Sequence, residues 1–545
     1  MQLPDSNLDA IGDPATRQII AQLLHVIETQ AAEIAALRTE NQQLRDEIAR
    51  LTGRPGKPTI PPPVAHATTD HSSEAERRVR HPRGTRRTIR TLPVTRTVPR
   101  AVPSADLPPG AVRHGTRSRW VQALTVTVDV IRFVCDVWRD PATGRTITAS
   151  LPPGYDGGFC PQIRAWTLAL GHGATVSQPA LRTFLTDVGI RIGVGTIARW
   201  LTDSTGQWQH AARAIHLAGL ASGTWQATDQ TGTRVAGQNH TCHVVGNRHF
   251  RSYHTRAGGT RQDVLAVLWG QEPVFRRDAR AQRWLAETTC PQHVQTRLAA
   301  ALPWATDLTA DDLATYLTAA DLVLTRDQHR QVQDALGIAA YHAQTAVPVV
   351  QTLLTDDAPG YHAITRAHAL CLVHAGRHLA KLQPVVPHHQ QALTTVRATF
   401  WALYRDLRAY QTAPTVAAAT ALRARFTDFV TQRTGYRALD DRLDRFATNA
   451  DLRLTVLDQP DVPLHTNDME LAARRRVRKR DVSFGPQSAA GATAWDTFQT
   501  ISATATKRGV RLLPYLYARM TAPDTTPSLA DMITARSGGL APIRA

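Results

Sequence analysis

Cysteine is scarce in this chain, and the cysteines that it contains are scattered. Five occur in 545 residues, at positions 135, 160, 242, 290 and 371, and no two form a Cys-X-X-Cys pair. An odd and dispersed set argues against a disulfide framework. Cys371, His374 and His378 lie close in sequence but have no fourth ligand nearby, so we expect packed helix residues there rather than a zinc site.

Long apolar runs are absent as well. No stretch approaches the ~20 apolar residues needed to span a bilayer. The first thirty residues also lack the basic start and apolar core of a signal peptide. These absences predict a soluble intracellular protein with no membrane partner.

Lysine is the third deficiency, because only four of the 63 Lys and Arg residues are lysine. Acidic residues number 45, which leaves a formal net charge of +18. A positive surplus of this size favours a polyanionic partner, and nucleic acid is the default. Arginine binds phosphate through two hydrogen bonds, although a GC-rich genome explains the arginine bias equally well. The length exceeds one ordinary core and indicates two to four structural units.

A heptad pattern marks the N-terminal region, and we predict a coiled-coil dimerisation helix in residues 1–52, helical from 15 to 52. Isoleucine in the first core position and leucine in the second favour a parallel two-stranded coil, and Asn41 would fix its register. The two seams are Ile20, Ile27, Ile34, Asn41 and Ile48, and Leu23, Gln30, Leu37, Leu44 and Leu51.

Residues 53–118 change character to a Pro-rich and Arg-rich linker. Repeated prolines prevent a helix, and the low apolar content is typical of a flexible tether. Its charge suits binding of DNA phosphates without sequence readout, and a merely solvated tether is an equally good interpretation. The arginines predicted to bind DNA here are Arg77, Arg78, Arg80, Arg83, Arg86 and Arg87.

Two small units are predicted next. Residues 119–160 alternate in polarity and suggest a small β module, with strands at Trp120–Val130 and Ile131–Trp138. Residues 161–220 are predicted to be helical, with helices at 177–188 and 194–203 separated by a break at Gly189. This pattern fits a helix-turn-helix, in which Arg191 and Arg199 would contact DNA. Because helix pairs are common, a pair that only packs and does not read DNA is an equally good interpretation.

Residues 221–520 have the pattern of an α/β domain. Three successive strands are predicted at 224–235, 242–246 and 249–255, and two more at 347–355 and 369–373 alternate with helices. This order is that of a ribonuclease-H-like catalytic domain with helical insertions at 271–345 and 384–460. We expect residues 521–545 to be a flexible tail.

Three carboxylates in this region have positions suited to metal binding. Asp229 lies inside an apolar strand, where an unpartnered charge is costly. Asp356 follows a buried strand, and Glu470 begins a helix. Such oxygen ligands suit Mg²⁺, and two metal ions about 4 Å apart serve phosphodiester chemistry. Asp357 is a rival to Asp356 in this set.

Five motifs occur in a fixed order: Asp229-Gln-Thr-Gly-Thr-Arg234-Val; Thr355-Asp356-Asp357-Ala-Pro-Gly-Tyr361; Cys371-Leu-Val-His374-Ala-Gly-Arg377-His378; Asn467-Asp-Met-Glu470 with Arg474, Arg478, Lys479 and Arg480; and the segment Gly491 to Gly509. As an ordered set they resemble the insertion sequence 66 family of bacterial transposases.

The resemblance implies a DDE-type DNA transposase. It implies Asp229, Asp356 and Glu470 as catalytic ligands of two Mg²⁺ or Mn²⁺ ions, and double-stranded DNA, both element ends and target, as partner. Self-association and helper proteins from the same element are further implied partners, in a bacterial cytoplasmic, nucleoid-associated setting. Arg474, Arg478, Lys479 and Arg480 would steer phosphates. The alternative is a catalytically decayed DNA-binding protein derived from a transposase.

Overall fold

The structure is a computed structural model that describes residues 13–51, 93–155, 158–203 and 206–536. It is a mixed α/β protein in which many helices surround one five-stranded mixed sheet. Among these residues, no helix is both long and apolar enough to cross a lipid bilayer. The linker arginines predicted to bind DNA, from Arg77 to Arg87, lie outside the described ranges.

The first helix, α1, spans Pro14–Leu51, which confirms the predicted helix. One face of α1 packs against the rest of the chain through Leu24 and Glu28, which are 9% and 6% exposed. The Glu28 carboxylate accepts hydrogen bonds from the Val385 and Val386 N–H groups at 3.0 Å. Much of the predicted coiled-coil seam remains at least half exposed, namely Leu23, Ile34, Leu37, Leu44 and Ile48.

The predicted β module is much smaller than expected. Strands β1 (Val137–Arg139) and β2 (Thr146–Thr148) pair as a short antiparallel ribbon. The strand predicted at Trp120–Val130 is wrong, because residues 119–136 form no regular secondary structure. Leu124 is 86% and Val130 99% exposed. Alternating polarity suits a pleated surface, but a strand forms only where a neighbour accepts its hydrogen bonds.

The described part of the predicted helical region contains four α-helices and a π-helical turn, Ala169–Gly173. The pair suggested as a helix-turn-helix is present, and the break at Gly189 has a positive φ of 94°, which glycine tolerates best. Leu181, Leu185 and Ile197 are fully buried between the helices. The bounds are α2 Pro161–Leu168, α3 Gln178–Asp187, α4 Val194–Thr202 and α5 Gly206–Ala221.

The sheet begins as an antiparallel meander, as predicted. A two-residue turn at Ala236 and Gly237, with φ of 48° and 79°, joins the first two strands, and positive φ at both positions matches the right-handed twist of a hairpin. The elements are β3 Trp225–Val235, β4 Gln238–Gly246, β5 Arg251–Arg256 and helix α6 Arg261–Trp269.

The predicted insertion at 271–345 is a helical subdomain with its own core. A two-residue strand pair joins the start of this subdomain to its middle, and Leu298, Leu313 and Val332 are among the buried residues. Its elements are β6 Phe275–Arg276, α7 Ala279–Ala286, α8 Gln292–Ala301, β7 Asp307–Leu308, α9 Ala310–Ala319 and α10 Arg326–Ala343.

Two parallel strands complete the sheet, in the order β5-β4-β3-β8-β9. They are β8 Thr352–Thr355 and β9 Ala367–Leu370, and helix α11 Leu372–Ala380 follows directly. The second predicted insertion is a helical unit with an aromatic core that includes Phe400, Phe426 and Phe446. Its helices are α12 Pro387–Thr412, α13 Val416–Thr431, α14 Arg437–Thr448, α15 Ala450–Arg453 and α16 Thr455–Asp458.

The remaining helices cover one face and one edge of the sheet. They are α17 Asn467–Ser483, α18 Ala489–Lys507, α19 Leu512–Thr521 and α20 Leu529–Arg536. The predicted flexible tail is therefore wrong up to residue 536. Leu529 and Ile533, one turn apart and 0% exposed, anchor α20 in the core.

Helix α18 supplies hydrogen-bond acceptors for the free edge of β5. The outward N–H groups of Arg251, Tyr253 and Thr255 donate to side chains of α18 at 3.2, 3.0 and 2.6 Å. Their acceptors are Thr504, Thr500 and Asp496, which are spaced four apart. Four helical residues rise ~6 Å and two strand residues rise ~6.6 Å. The spacing of the acceptors along α18 therefore matches the spacing of the N–H donors along β5. An edge covered in this way cannot pair with another strand.

Candidate active site

The sheet register places Asp229 and Asp356 side by side. Strand β8 runs parallel to β3 with Trp225 opposite Thr352 and Ala227 opposite Leu354. Two residues further along each chain are Asp229 and Asp356. Because side chains two apart share a face and neighbouring strands lie ~4.8 Å apart, both carboxylates project from the same face at the same level.

Helix α17 brings Glu470 to that face. Trp225, Ala227 and Leu354, which share the face of the two aspartates, pack against Met469, Ala472 and Ala473 of α17 in one buried cluster. Glu470 directly follows Met469 and is 19% exposed. The three predicted ligands therefore lie on one side of the sheet, although 241 residues separate the first from the last.

Asp229 lies close enough to Asp356 and Glu470 for their charges to act on it. Burial raises the pKa of Asp229 to about 6, against an opposing hydrogen bond from the Gln230 N–H, and the charges of Asp356 and Glu470 add to the rise. Like charges in a partly dry site disfavour ionisation. This is the environment in which a bound cation would relieve the repulsion.

Two arginines hold Glu470. Arg377 of α11 donates to both carboxylate oxygens at 3.0 and 2.9 Å, and Arg474, one turn along α17, donates to Oε1 at 2.7 Å. Burial would raise the pKa of Glu470, but these arginines hold it below its ordinary value. Within the described residues, no group of three or more His, Cys, Asp and Glu side chains is arranged so that it could hold a metal ion.

Asp357, the rival of Asp356, has different partners. Its Oδ2 accepts from Arg453 at 3.2 Å and its Oδ1 accepts from Asn449 at 3.4 Å. The Arg453 side chain is only 3% exposed, so Asp357 neutralises a buried cation. Asp356 instead accepts a hydrogen bond from the Ala358 N–H at 3.3 Å and acts on Asp229. The geometry therefore favours Asp356 in the carboxylate set.

The Cys371 and His374 pair has a structural arrangement. The Cys371 thiol accepts from the N–H groups of His374 and Thr466 at 3.4 Å and is buried. His374 lies beside the carboxylates: burial lowers its pKa, and the charge of Asp356 opposes the fall. The Cys371 thiol therefore caps the start of α11, and the absence of a zinc site at these residues stays a prediction.

The basic residues predicted on α17 divide by the direction that they face. Arg474 has a side chain that is 53% exposed, and Arg478 is also exposed. Arg480 is partly exposed and donates to the Gly232 carbonyl at 2.7 Å. Lys479 is 4% exposed and donates to the Gly171 carbonyl. We therefore remove Lys479 from the predicted DNA contacts, because a phosphate cannot reach it in the interior.

The helix pair α3 and α4 presents both of its predicted DNA-binding arginines to solvent. Arg191 precedes α4 and Arg199 lies within it, and both are exposed. The surfaces of these residues are accessible to a polyanion, and DNA readout by this pair stays a prediction.

Comparison with known proteins identifies the family. Residues 328–494 match the family model described as Transposase IS66 family. The chain is also 31% identical over 313 residues to an uncharacterized protein, y4jO, of Sinorhizobium fredii (strain NBRC 101917 / NGR234). That alignment covers 56% of this chain and 94% of the relative. The chain belongs to the IS66 family of transposases. No solved structure matches it.

Membership in the IS66 family assigns a transposase-family function and implies DNA as a partner. The matched segment, 328–494, begins in α10 and contains Asp356, Arg377 and Glu470. Asp229 lies N-terminal to it, so its assignment depends on the sheet register and on the electrostatic coupling described above.

Proposed function

We propose that this protein is a catalytically active DDE-type transposase, which cleaves phosphodiester bonds at element ends and joins the freed 3′-hydroxyl groups to target DNA. The single observation that carries the proposal is the placement of Asp229, Asp356 and Glu470 on one face of the sheet. The strand order, with a three-stranded meander followed by two parallel strands, supports a ribonuclease-H-like domain.

The three side chains offer the carboxylate oxygens that two Mg²⁺ or Mn²⁺ ions would require. Hard divalent cations prefer carboxylate oxygens. Burial raises the pKa of Asp229, the charges of Asp356 and Glu470 add to the rise, and a bound cation would favour the ionised carboxylate. When bound, the metal pair would activate the attacking oxygen and stabilise the leaving one. Asp229, on which the charges of both Asp356 and Glu470 act, would contribute to holding both ions.

Arg377 and Arg474 have a positioning role in this proposal. Their hydrogen bonds fix the Glu470 carboxylate, and each guanidinium can exchange a carboxylate for a phosphate of similar geometry. Arg474 and Arg478, one turn apart on the exposed face of α17, hold the DNA backbone beside the carboxylates. Such contacts position DNA without reading its sequence.

Self-association is proposed through α1. Its exposed seam of leucine and isoleucine residues is the surface that a parallel partner helix would cover, while Leu24 and Glu28, which flank that seam, attach α1 to the body. Helper proteins from the same element are proposed from family resemblance only.

The test is a strand-cleavage and strand-transfer assay with Mg²⁺, with Asp229→Ala beside the wild-type chain. We expect wild type to yield nicked and joined products and Asp229→Ala to yield at most a thousandth as much, with DNA binding retained. Equal activity of the two proteins would make the catalytic assignment wrong. Equal inactivity with retained DNA binding would favour the alternative, a decayed DNA-binding transposase.

A further inference from the structure

The C-terminal end of α17 exposes an aromatic ring in an unusual backbone conformation. Phe484 is 86% exposed and has φ of 57° and ψ of 15°. The left-handed region is unfavourable for residues with a side chain, and a bulky aromatic in it is a genuine outlier. Strain of this kind is retained where the surroundings impose it, and it is concentrated at functional sites.

The surroundings of Phe484 hold it rigidly. The next two residues, Gly485 and Pro486, are buried, and the Ala236 N–H of the β3–β4 turn donates to the Pro486 carbonyl at 3.1 Å. A Cβ atom on Gly485 would lie 3.0 Å from the Arg234 carbonyl oxygen, so the two backbones touch. The loop is fixed on the hairpin while the ring of Phe484 points away from the core.

A basic stripe connects this ring to the candidate active site. Glu470, Arg474 and Arg478 are spaced four apart, so they lie in one row along α17. Arg474 is 53% exposed, Arg478 is exposed, and Arg234 adds a further exposed cation on the hairpin. The row ends at the loop that carries Phe484. Charge complementarity along this row selects a polyanion as the occupant.

The length of the stripe sets a position on that polyanion. Fourteen residues separate Glu470 from Phe484, and a helix rises 1.5 Å per residue, so the two lie about 21 Å apart along the axis. Base pairs in duplex DNA are spaced by about 3.4 Å. A duplex that runs along α17 would therefore place the ring about six base pairs from a phosphodiester at the carboxylates.

We propose that Phe484 is a DNA-contacting residue that stacks on a base about six base pairs from the reacting phosphodiester, while Arg474 and Arg478 hold the intervening backbone. The proposal rests on the proposed function, because it takes the carboxylate set as the place of the scissile phosphate. Aromatic rings that unstack a base locally are a known means of distorting DNA.

The first experiment uses 30-base-pair duplexes with a 3′-hydroxyl end and one 2-aminopurine placed two to ten positions from that end. The full chain carries Asp229→Ala, which keeps the DNA intact and makes the readout independent of cleavage. We expect a fluorescence rise that peaks near position six, because 2-aminopurine brightens on unstacking. Adding Phe484→Ala should abolish the peak and weaken binding about ten-fold, whereas Phe484→Trp should keep both.

The second experiment separates contact from folding. Asparagine tolerates the left-handed conformation, so Phe484→Asn should not lower the thermal unfolding midpoint, yet it should weaken DNA binding about ten-fold. The matched control is Val416→Ala, at the start of α13, where Val416 is also 86% exposed. This control should bind DNA like wild type.

A fluorescence profile that is the same with and without Phe484→Ala would overturn the proposal, as would a lower midpoint of Phe484→Asn with unchanged affinity. If the chain that carries only Asp229→Ala fails to bind the duplexes at all, the proposed function fails together with this inference. If binding and the peak persist but no chemistry is found, only the catalytic assignment is wrong.

Discussion

Replacing Asp357 by alanine should destabilise the fold and spare the chemistry, whereas replacing Asp356 should do the reverse. The two aspartates are adjacent in sequence, but Asp357 lies 3.2 Å from Arg453, whose side chain is 3% exposed. Asp356 belongs to the carboxylate set with Asp229. One pair of variants therefore separates a structural role from a catalytic one.

The magnitude for Asp357→Ala follows from burial. Removing one partner of a buried ion pair costs about 3–5 kcal/mol. Because the Asp357 side chain is 32% exposed, water screens part of the interaction, and we expect a loss of about 2–3 kcal/mol. With a urea dependence of about 3 kcal/mol per molar, the unfolding midpoint should fall by about 0.7–1 M.

The assay is urea unfolding followed by circular dichroism, beside strand cleavage at a temperature where both variants are folded. Asp356→Ala should keep the wild-type midpoint and lose cleavage at least a thousand-fold. Asp357→Ala should cleave within about ten-fold of wild type. The reasoning is refuted if Asp357→Ala is as stable as wild type and inactive, or if Asp356→Ala retains activity.

Three further variants test other parts of the structure. Thr500→Val leaves the Tyr253 N–H without its acceptor and should lower the free energy of unfolding by about 1–3 kcal/mol. The control is Thr493→Val, on the exposed side of α18, and equal stability of the two variants would contradict the edge-covering role of α18. Glu28→Ala removes the acceptor for the Val385 and Val386 N–H groups. It should speed proteolysis within α1 at least about ten-fold relative to the control Glu33→Ala, at an exposed position on the same helix. An unchanged proteolysis rate would mean that Glu28 does not hold α1 on the body. Burial lowers the pKa of Lys479 to about 7, whereas in the unfolded chain the pKa of this lysine is about 10.5. The free energy of unfolding of the wild-type chain should therefore rise between pH 7 and 10, and Lys479→Met should lose that rise. Parallel pH profiles of the two proteins would contradict the burial of Lys479.

Periodicity in the sequence was sufficient where an element packs against neighbours close in the chain. The helices at 178–187 and 194–202 were predicted almost to the residue, because Leu181, Leu185 and Ile197 repeat at helical spacing around a glycine break. The same holds for the β3–β4–β5 meander, whose turns are marked by glycine. In these regions local preference and tertiary packing agree.

Alternation misled the prediction for residues 119–136. Leu124, Val126 and Val128 alternate with polar residues as in a strand, but alternation reports only that a segment suits a pleated surface. Whether a neighbouring strand is present depends on the fold as a whole. The tail was missed for a related reason, since Leu529 and Ile533 form a single short apolar stripe that gains stability only by packing in the distant core.

The candidate site was predictable in its ligands and not in their partners. A charged residue inside a strand drew attention to Asp229, and strand ends drew attention to Asp356 and Asp357. The choice between the last two depended on Arg453, which is 96 residues away, and the Arg377 clamp on Glu470 spans 93 residues. Long-range pairs of this kind leave no periodic mark in a single sequence.

The burial of Lys479 could have been predicted from helical phase. Met469, Ala472, Ala473 and Arg476 are buried on one side of α17, and Lys479 continues that spacing. Arg474 and Arg478 fall on the opposite phase and are exposed. The prediction of one uniformly exposed basic patch did not take into account the apolar residues that decide which side of α17 is buried.

The most direct test of the shared metal site is the number of Mn²⁺ ions bound per chain in the complex with duplex DNA, measured by electron paramagnetic resonance against DNA alone. Three carboxylates that share a metal pair predict two ions for the wild-type chain and fewer than one for Asp229→Asn, with the fold and DNA binding retained. The same number of ions bound with the same affinity in both proteins would contradict the account.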